Sequence, residues 1–251
     1  MNPDVPRELH RILVLNPKGG SGKTTVATNL ASIYALRKPP PTLIDCDPQG
    51  FCMRWLEKRA AHPSVIHGIA APDARPADVL SGDLEIPAES RQLIFDLPAA
   101  IPLDNLYAYT HLADSILIPI APSSIDVHAA TRLIAELLLD VQLDRRENKI
   151  GIIANRVKTN TKSFQMLKRF FASLDIPVIT VLRDSQSYVT ASSAGIGICE
   201  MPLYRVRDEL IAWKALLAWL DAREESIQRE AREVSEAYAI ESELMGYSDQ
   251  M

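Results

Sequence analysis

Short, almost wholly apolar runs alternate along the chain with longer segments of mixed polarity. RILVLN (11–16), TLID (42–45), SVIHGI (64–69), QLIFDL (92–97), SILIPI (115–120), KIGIIAN (149–155) and IPVITVL (176–182) have strand length, and most lack the polar alternation of a sheet with one wet face. Segments near 23–37, 49–61, 103–111, 124–142, 161–174 and 186–195 carry helical spacing, and a last helix starts near Tyr204. The alternation predicts βαβ units: an α/β fold with a mostly parallel, doubly wound sheet of about seven strands flanked by helices.

PPPT (39–42) and APDARP (71–76) read as loops, and no linker or repeat divides the chain before its end. The last helix is apolar at Leu210, Trp213, Leu217 and Leu220 and charged beyond them, so its first half should pack and its second half protrude. A domain over 1–220 and an acidic helical extension over 221–251 are therefore expected.

Charge sharpens this division. The net formal charge is −5, yet residues 221–251 hold three arginines against nine acids, so the remainder is close to neutral. From Arg156 to Arg183 the balance reverses: Arg156, Lys158, Lys162, Lys168, Arg169 and Arg183 face one acid, Asp175. Such a stretch is either a solvated helix face or a surface for a polyanion.

The 47% apolar and 24% charged content is that of a globular chain. No run of 18 apolar residues occurs and no apolar stretch follows a basic start, which predicts a cytoplasmic protein without a membrane partner. Cys46, Cys52 and Cys199 have no metal-site spacing and are expected to be free thiols.

The chemistry begins where RILVLN runs into PKGGSGKTT and then into a helical pattern. Gly19, Gly20, Ser21 and Gly22 form a glycine-rich turn whose backbone N–H groups can converge on phosphate oxygens at a helix N-terminus. Lys23 adds a charge near the β- and γ-phosphates, Thr24 a hydroxyl for Mg²⁺, and Thr25 a donor for the α-phosphate. Pro17 stands where the common G-x-x-x-x-G-K-[ST] pattern has glycine, and an additional lysine, Lys18, follows it.

After the second strand comes DCDPQG, in which Asp45 and Asp47 would point to one side of an extended chain and share a metal-water network. Asp96 ends the fourth apolar run, as a Walker B aspartate does, placed to hold Mg²⁺. The sixth run ends in Asn155-Arg156.

KGGSGKTT resembles the deviant Walker A motif of the ParA/MinD family of ATPases, and the resemblance extends over most of residues 10–220. It implies ATP and Mg²⁺ as ligands and a homodimer closed over two nucleotides, with Lys18 reaching the phosphates of the partner subunit. It implies that Asp47, 24 residues beyond Lys23, orients and deprotonates the attacking water, that Gln49 and Gly50 form a γ-phosphate-sensing turn, and that Asn155 and Arg156 lie at the adenine. Leu97, Ala99 and Ala100 depart from the family's usual D-T-P-P or D-T-P-G, which leaves Asp96 intact and alters the segment after it.

A slow ATPase of this kind is a switch whose output comes from another surface. Lys162, Lys168 and Arg169 are the candidates for contacting nonspecific DNA. DPQGFCMRWLEKR is most like orphan ParA-type proteins that position a carboxysome, chemoreceptor cluster or plasmid on the nucleoid, with an adaptor protein stimulating hydrolysis. Two other classes stay open: an ATP-dependent ligase of the dethiobiotin synthetase type, and a MinD-like division-site ATPase, against which the acidic C-terminal segment argues.

Overall fold

The computed structural model describes residues 9–72, 78, 84–141, 143, 148–158, 161–173 and 176–248. Seven strands, β1 (His10–Val14), β2 (Thr42–Asp45), β3 (His67–Ala70), β4 (Gln92–Asp96), β5 (Ser115–Ile120), β6 (Ile150–Val157) and β7 (Val178–Arg183), form one all-parallel sheet in the order β3-β2-β4-β1-β5-β6-β7. The helices are α1 (Lys23–Arg37), α2 (Phe51–Lys58), α3 (Leu103–Leu112), α4 (Ser124–Ala135), α5 (Lys162–Ser173), α6 (Gln186–Ser193) and α7 (Leu203–Ser248).

Alternation within the central strands sends successive side chains into two separate cores. Leu13, Phe95, Ile116, Ile118 and Ile152 meet α3, α4 and α5 through Leu106, Leu133, Leu167 and Phe171. Ile12, Val14, Ile94, Leu117 and Ile153 meet α1, α2, α6 and α7 through Leu30, Trp55, Ala191 and Trp213. With both faces covered, β2, β4 and β5 are buried at every position, which is why their sequences carry no polar alternation.

The edges behave differently. β3 spans His67–Ala70, not 64–69, because it pairs only with the four residues of β2, and its exposure alternates as an edge strand's does. The helix expected over 49–61 is confined to Phe51–Lys58, since Gly50 enters it at φ +62°. The one expected over 124–142 gives way after Ala135 to a π turn, Glu136–Asp140, closed by the Val141 amide on the Glu136 carbonyl at 2.9 Å; residues 142 and 174 lie outside the described ones.

In α7, Trp213, Leu217 and Leu220 are buried as their spacing predicts, together with Val206 and Leu216, while Leu210 is half-buried. The helix also holds the amino-terminal edge of the sheet beyond its apolar part. Arg37 meets Asp221 at 2.7 Å, Arg223 donates to the Asp114 carbonyl at 2.8 Å, and Gln92 donates to Glu224 at 3.2 Å. The His10 ring beside Glu224 draws that carboxyl below its usual range, against the opposing effect of burial. Among the described residues no helix is long and apolar enough to cross a membrane.

Gly195 and Glu200, in the segment ASSAGIGICEM, fasten α2 from the other end. Gly195 sits at φ +69° with the Lys58 backbone so near that an added Cβ would lie 2.8 Å from it, and Arg59 pairs with both oxygens of Glu200 through its two terminal guanidinium nitrogens. This contact fixes the helix that follows the DCDPQG turn.

Candidate functional site

β1 lies between β4 and β5 at the centre of the sheet, and the turn after it opens at the carboxyl edge, where open α/β sheets hold ligands. Asn16 anchors that turn: its Nδ2 donates to the Pro119 carbonyl and its Oδ1 accepts from the Lys18 amide, both at 2.8 Å. The loop ends at Gly22, which caps α1 at φ +96° without any side-chain hydrogen bond. The first amides of α1 therefore stay available for an anion, and no acidic residue occupies that first turn. Gly22 also has a steric reason for its type, since a Cβ there would lie 2.1 Å from Asn155 Nδ2. At Gly19 and Gly20 a Cβ would meet nothing within 4 Å, so these two leave open space over the loop. Ser21 is buried, and its hydroxyl has no hydrogen-bond partner.

Lys23 is buried at the base of the loop and donates to the Asn16 carbonyl at 3.1 Å. Burial lowers its ammonium pKa, opposed by the charges of Asp96 and Asp47. A desolvated cation aimed into a glycine turn gains most when an anion arrives, because the low dielectric strengthens the attraction. Thr24 donates its hydroxyl to Asp96 Oδ2 at 2.7 Å, and Thr25 is half-buried in the same turn.

The carboxylates close the site from the neighbouring strands. Asp45 and Asp96 are register partners on β2 and β4, both almost fully buried. Burial pushes the Asp96 carboxyl up to about 6 despite the Thr24 and Cys52 hydrogen bonds, and burial raises Asp45 as well. Asp96 Oδ1 is buried without a partner. Two oxygens of opposed carboxylates beside a threonine hydroxyl make a hard donor set of the kind Mg²⁺ takes.

Asp47 departs from the expectation of two carboxylates side by side on an extended strand. β2 ends at Asp45, the Cys46 amide still donates to the Asp96 carbonyl at 3.0 Å, and the chain then bends at Asp47, whose amide donates back to Asp45 Oδ1 at 3.2 Å. Asp47 lies half-buried in the turn, its Oδ1 accepting from the Gln49 amide at 2.9 Å. That placement leaves one carboxylate, Asp45, fixed in the interior and the other, Asp47, half-buried at the rim, near enough for its charge to act on Lys23.

Asn155 and Arg156 lie where β6 bulges against β7, with Arg156 at φ +52°. The bulge aims Asn155 inward: Nδ2 donates to the Ser21 carbonyl at 2.7 Å and Oδ1 accepts from the Arg156 amide at 3.0 Å. One N–H and one lone pair of the amide remain for any base edge. Arg156 itself points to solvent.

Lys18, half-exposed, places Nζ 2.6 Å from Asp126 Oδ2 on the first turn of α4, and the same carboxylate accepts the Ser123 hydroxyl. Lys162, Lys168 and Arg169 are exposed on α5. Lys162 and Arg169, seven apart, line one groove of about 880 Å³ with Gln165, Met166 and Phe170, while Lys168 lies over the Phe164 ring at 5.2 Å. α5 belongs to the core face shared with α3 and α4, so these cations are carried on a different helix from the phosphate loop.

Two participants escaped the sequence. Cys52, in the first turn of α2, donates its thiol to Asp96 Oδ2 at 3.2 Å, and Asp126 partners Lys18 from 108 residues away. No motif signals either. The three cysteines are free, as expected, with Cys46 and Cys52 buried.

Comparison with known proteins agrees with this geometry. Residues 12–198 match the CobQ/CobB/MinD/ParA nucleotide binding domain. Maintenance of carboxysome distribution protein A of Halothiobacillus neapolitanus is 26% identical over 199 residues, covering 76% of this chain and 87% of that protein. Among solved structures, an ATP complex of a McdA variant from Cyanothece superposes with a TM-score of 0.61 at 19% identity, over 88% of this chain and 96% of the other. A Borrelia burgdorferi protein bound to AMPPNP superposes at 0.65 with 14% identity, over 84% and 99%. At such identities the superpositions establish the fold.

Proposed function

Because the chain belongs to the CobQ/CobB/MinD/ParA nucleotide-binding family, we propose that it is an ATP-dependent dimerising ATPase switch that binds nonspecific DNA and positions an intracellular cargo. The observation that carries the nucleotide part is the convergence of buried Lys23, the Thr24–Asp96 pair and the uncapped start of α1 on one glycine loop. The name of the Halothiobacillus relative makes a carboxysome the first cargo to test, with chemoreceptor clusters and plasmids as the others.

In this reading the loop amides and Lys23 hold the phosphates of ATP, with Ser21 supplying its unpartnered hydroxyl and Thr25 a further donor. Thr24, Asp96 and Asp45 would hold Mg²⁺, which would offset the negative charge of the phosphates. Asp47, at the rim of the site, accepts the proton of the attacking water and orients it. Asn155 and Arg156 border the base.

Lys18 acts across a homodimer. In the single chain its ammonium is spent on Asp126, an ion pair worth at most about 1 kcal/mol because Lys18 is 37% exposed. The phosphates of a facing subunit are a stronger attraction, so release from Asp126 costs little. Lys18→Ala is expected to bind ATP with unchanged affinity and to elute as a monomer; an ATP dimer of normal stability in size-exclusion chromatography removes the trans role.

DNA binding follows from dimerisation. Two copies of Lys162, Lys168 and Arg169 offer six cations to phosphates, without base readout. Retention on random-sequence duplex DNA is expected with Mg-ATP and not with Mg-ADP. It should fall roughly 1,000-fold between about 50 and 200 mM salt if all six cations contact phosphate. Absence of retention in both nucleotide states overturns the DNA part. ATP-dependent retention would place the switch in the cytoplasm on the nucleoid, its hydrolysis stimulated by an adaptor protein.

A second reading, an ATP-dependent ligase, is favoured by a groove of about 650 Å³ beside Pro17, lined by Ile101, His128, Arg132 and Leu133. It requires turnover that needs neither DNA nor a protein stimulator.

A further inference from the structure

Cys52 is the one soft ligand in a site otherwise made of hard oxygens. Its Sγ and one oxygen each of Asp45 and Asp96 lie within 4.8 Å of one another, and all three residues are buried. We propose that Asp45, Cys52 and Asp96 form a binding site for a thiophilic divalent cation of the Zn²⁺ class in the nucleotide-free protein.

The geometry supplies what such an ion needs. Asp45 is oriented by two backbone amides, Asp47 onto Oδ1 at 3.2 Å and Met53 onto Oδ2 at 3.1 Å, the supporting hydrogen bonds that metal-binding carboxylates usually have. Asp96 offers Oδ1, buried without a partner. Cys52 already directs its S–H at Asp96 Oδ2. Three protein ligands with a fourth position left for water is an arrangement Zn²⁺ adopts, whereas Mg²⁺ demands octahedral oxygen and gains nothing from sulfur.

Binding balances as one exchange. The Cys52 S–H bond breaks, a sulfur–metal bond forms, and the proton leaves to solvent; the thiolate and two carboxylates then surround a dication, with the Lys23 ammonium nearby to offset the excess negative charge. No oxidant or reductant is needed. The ion would tie together the ends of β2 and β4 and the first turn of α2, the elements on both sides of the Asp47 turn. It would also take the Asp96 carboxylate that Thr24 contacts, so it would compete with a Mg-nucleotide for the same group.

The inference does not depend on ATP hydrolysis or DNA binding, and its test contains neither. Nucleotide-free protein with reduced thiols is titrated with Co²⁺ as the spectroscopic probe. The expected result is one Co²⁺ per chain with a sulfur-to-metal charge-transfer band, displaced by Zn²⁺ and retained in excess Mg²⁺. Cys46→Ser and Cys199→Ser should keep the band, and Cys52→Ser should lose it. Asp45→Asn, which leaves every thiol in place, should weaken Co²⁺ binding by more than about tenfold and keeps the test decisive if the Cys52 variant does not fold. A wild-type protein without the band at saturating Co²⁺, a band that survives Cys52→Ser, or an unchanged affinity in Asp45→Asn overturns the site.

Discussion

Lys23→Ala is expected to abolish ATP binding while leaving the folded chain as stable as before. The two halves of that result have one cause. Lys23 is a buried ammonium whose pKa burial lowers, so in the free protein its charge is costly and its neighbours Asp96 and Asp47 only partly compensate it. Removing it relieves that cost, and the small void left at the base of an open loop can admit water. With phosphate present the balance inverts, because a desolvated charge pair loses about 2–5 kcal/mol when one partner is truncated. That is roughly a 30- to 4,000-fold loss of affinity. Thermal unfolding reads both halves at once. At ligand concentrations near a hundred times the wild-type dissociation constant the wild type gains about 2.7 kcal/mol from binding, and the variant should gain no more than about 0.9 kcal/mol while its ligand-free midpoint is unchanged. A variant stabilised by ATP as much as the wild type would remove the phosphate role of Lys23; one that melts far below the wild type without ligand would make the lysine a structural member of the loop.

The place of Lys23 was legible from the sequence because strand, glycine turn and helix start are contiguous; its burial and the charges of Asp96 and Asp47 that act on it come from the structure. The same holds for the sheet. Seven apolar runs became seven strands, and the central ones are continuous in apolar character because helices cover both faces. Where the sequence misled, the decisive partner was remote or absent. SVIHGI is apolar enough for a longer strand, but β2 offers only four residues to pair with, so β3 stops at four. Asp45 and Asp47 suggest strand alternation, but the backbone bends at Asp47 into the 47–50 turn, and the Asp45 side chain captures the Asp47 amide. Cys52, on α2, carried no signal because its value lies in facing Asp96, 44 residues away on β4, and Lys18 gave no hint of Asp126. The family resemblance points to Asn155, but its grip on the Ser21 carbonyl comes from a bulge that no composition rule marks.

Asp47→Ala is expected to separate binding from hydrolysis. Asp47 does not touch Lys23, Thr24 or Asp96 through any hydrogen bond; it sits half-buried in the turn, with one oxygen accepting from the Gln49 amide. Nothing that holds phosphate is lost with it, and the loss of a negative charge from the neighbourhood of bound phosphates, if anything, favours them. ATP affinity should therefore stay within about fivefold of the wild type, since a half-buried, solvent-screened charge contributes no more than about 1 kcal/mol. Hydrolysis should fall by about 100- to 10,000-fold, the usual worth of a positioned general base. The dimer then persists, because the step that would dissolve it has been removed, and ATP-dependent DNA retention should outlast that of the wild type in a washout experiment. Asp47→Asn refines the result. An amide can orient water but cannot accept its proton, so turnover recovered by Asn assigns Asp47 to positioning, whereas equal loss in Ala and Asn assigns it to proton transfer. The outcome that would sink the assignment is a loss of ATP binding in Asp47→Ala equal to that in Lys23→Ala, for then the two side chains would serve one purpose, and the turn after β2 would be part of the phosphate cradle.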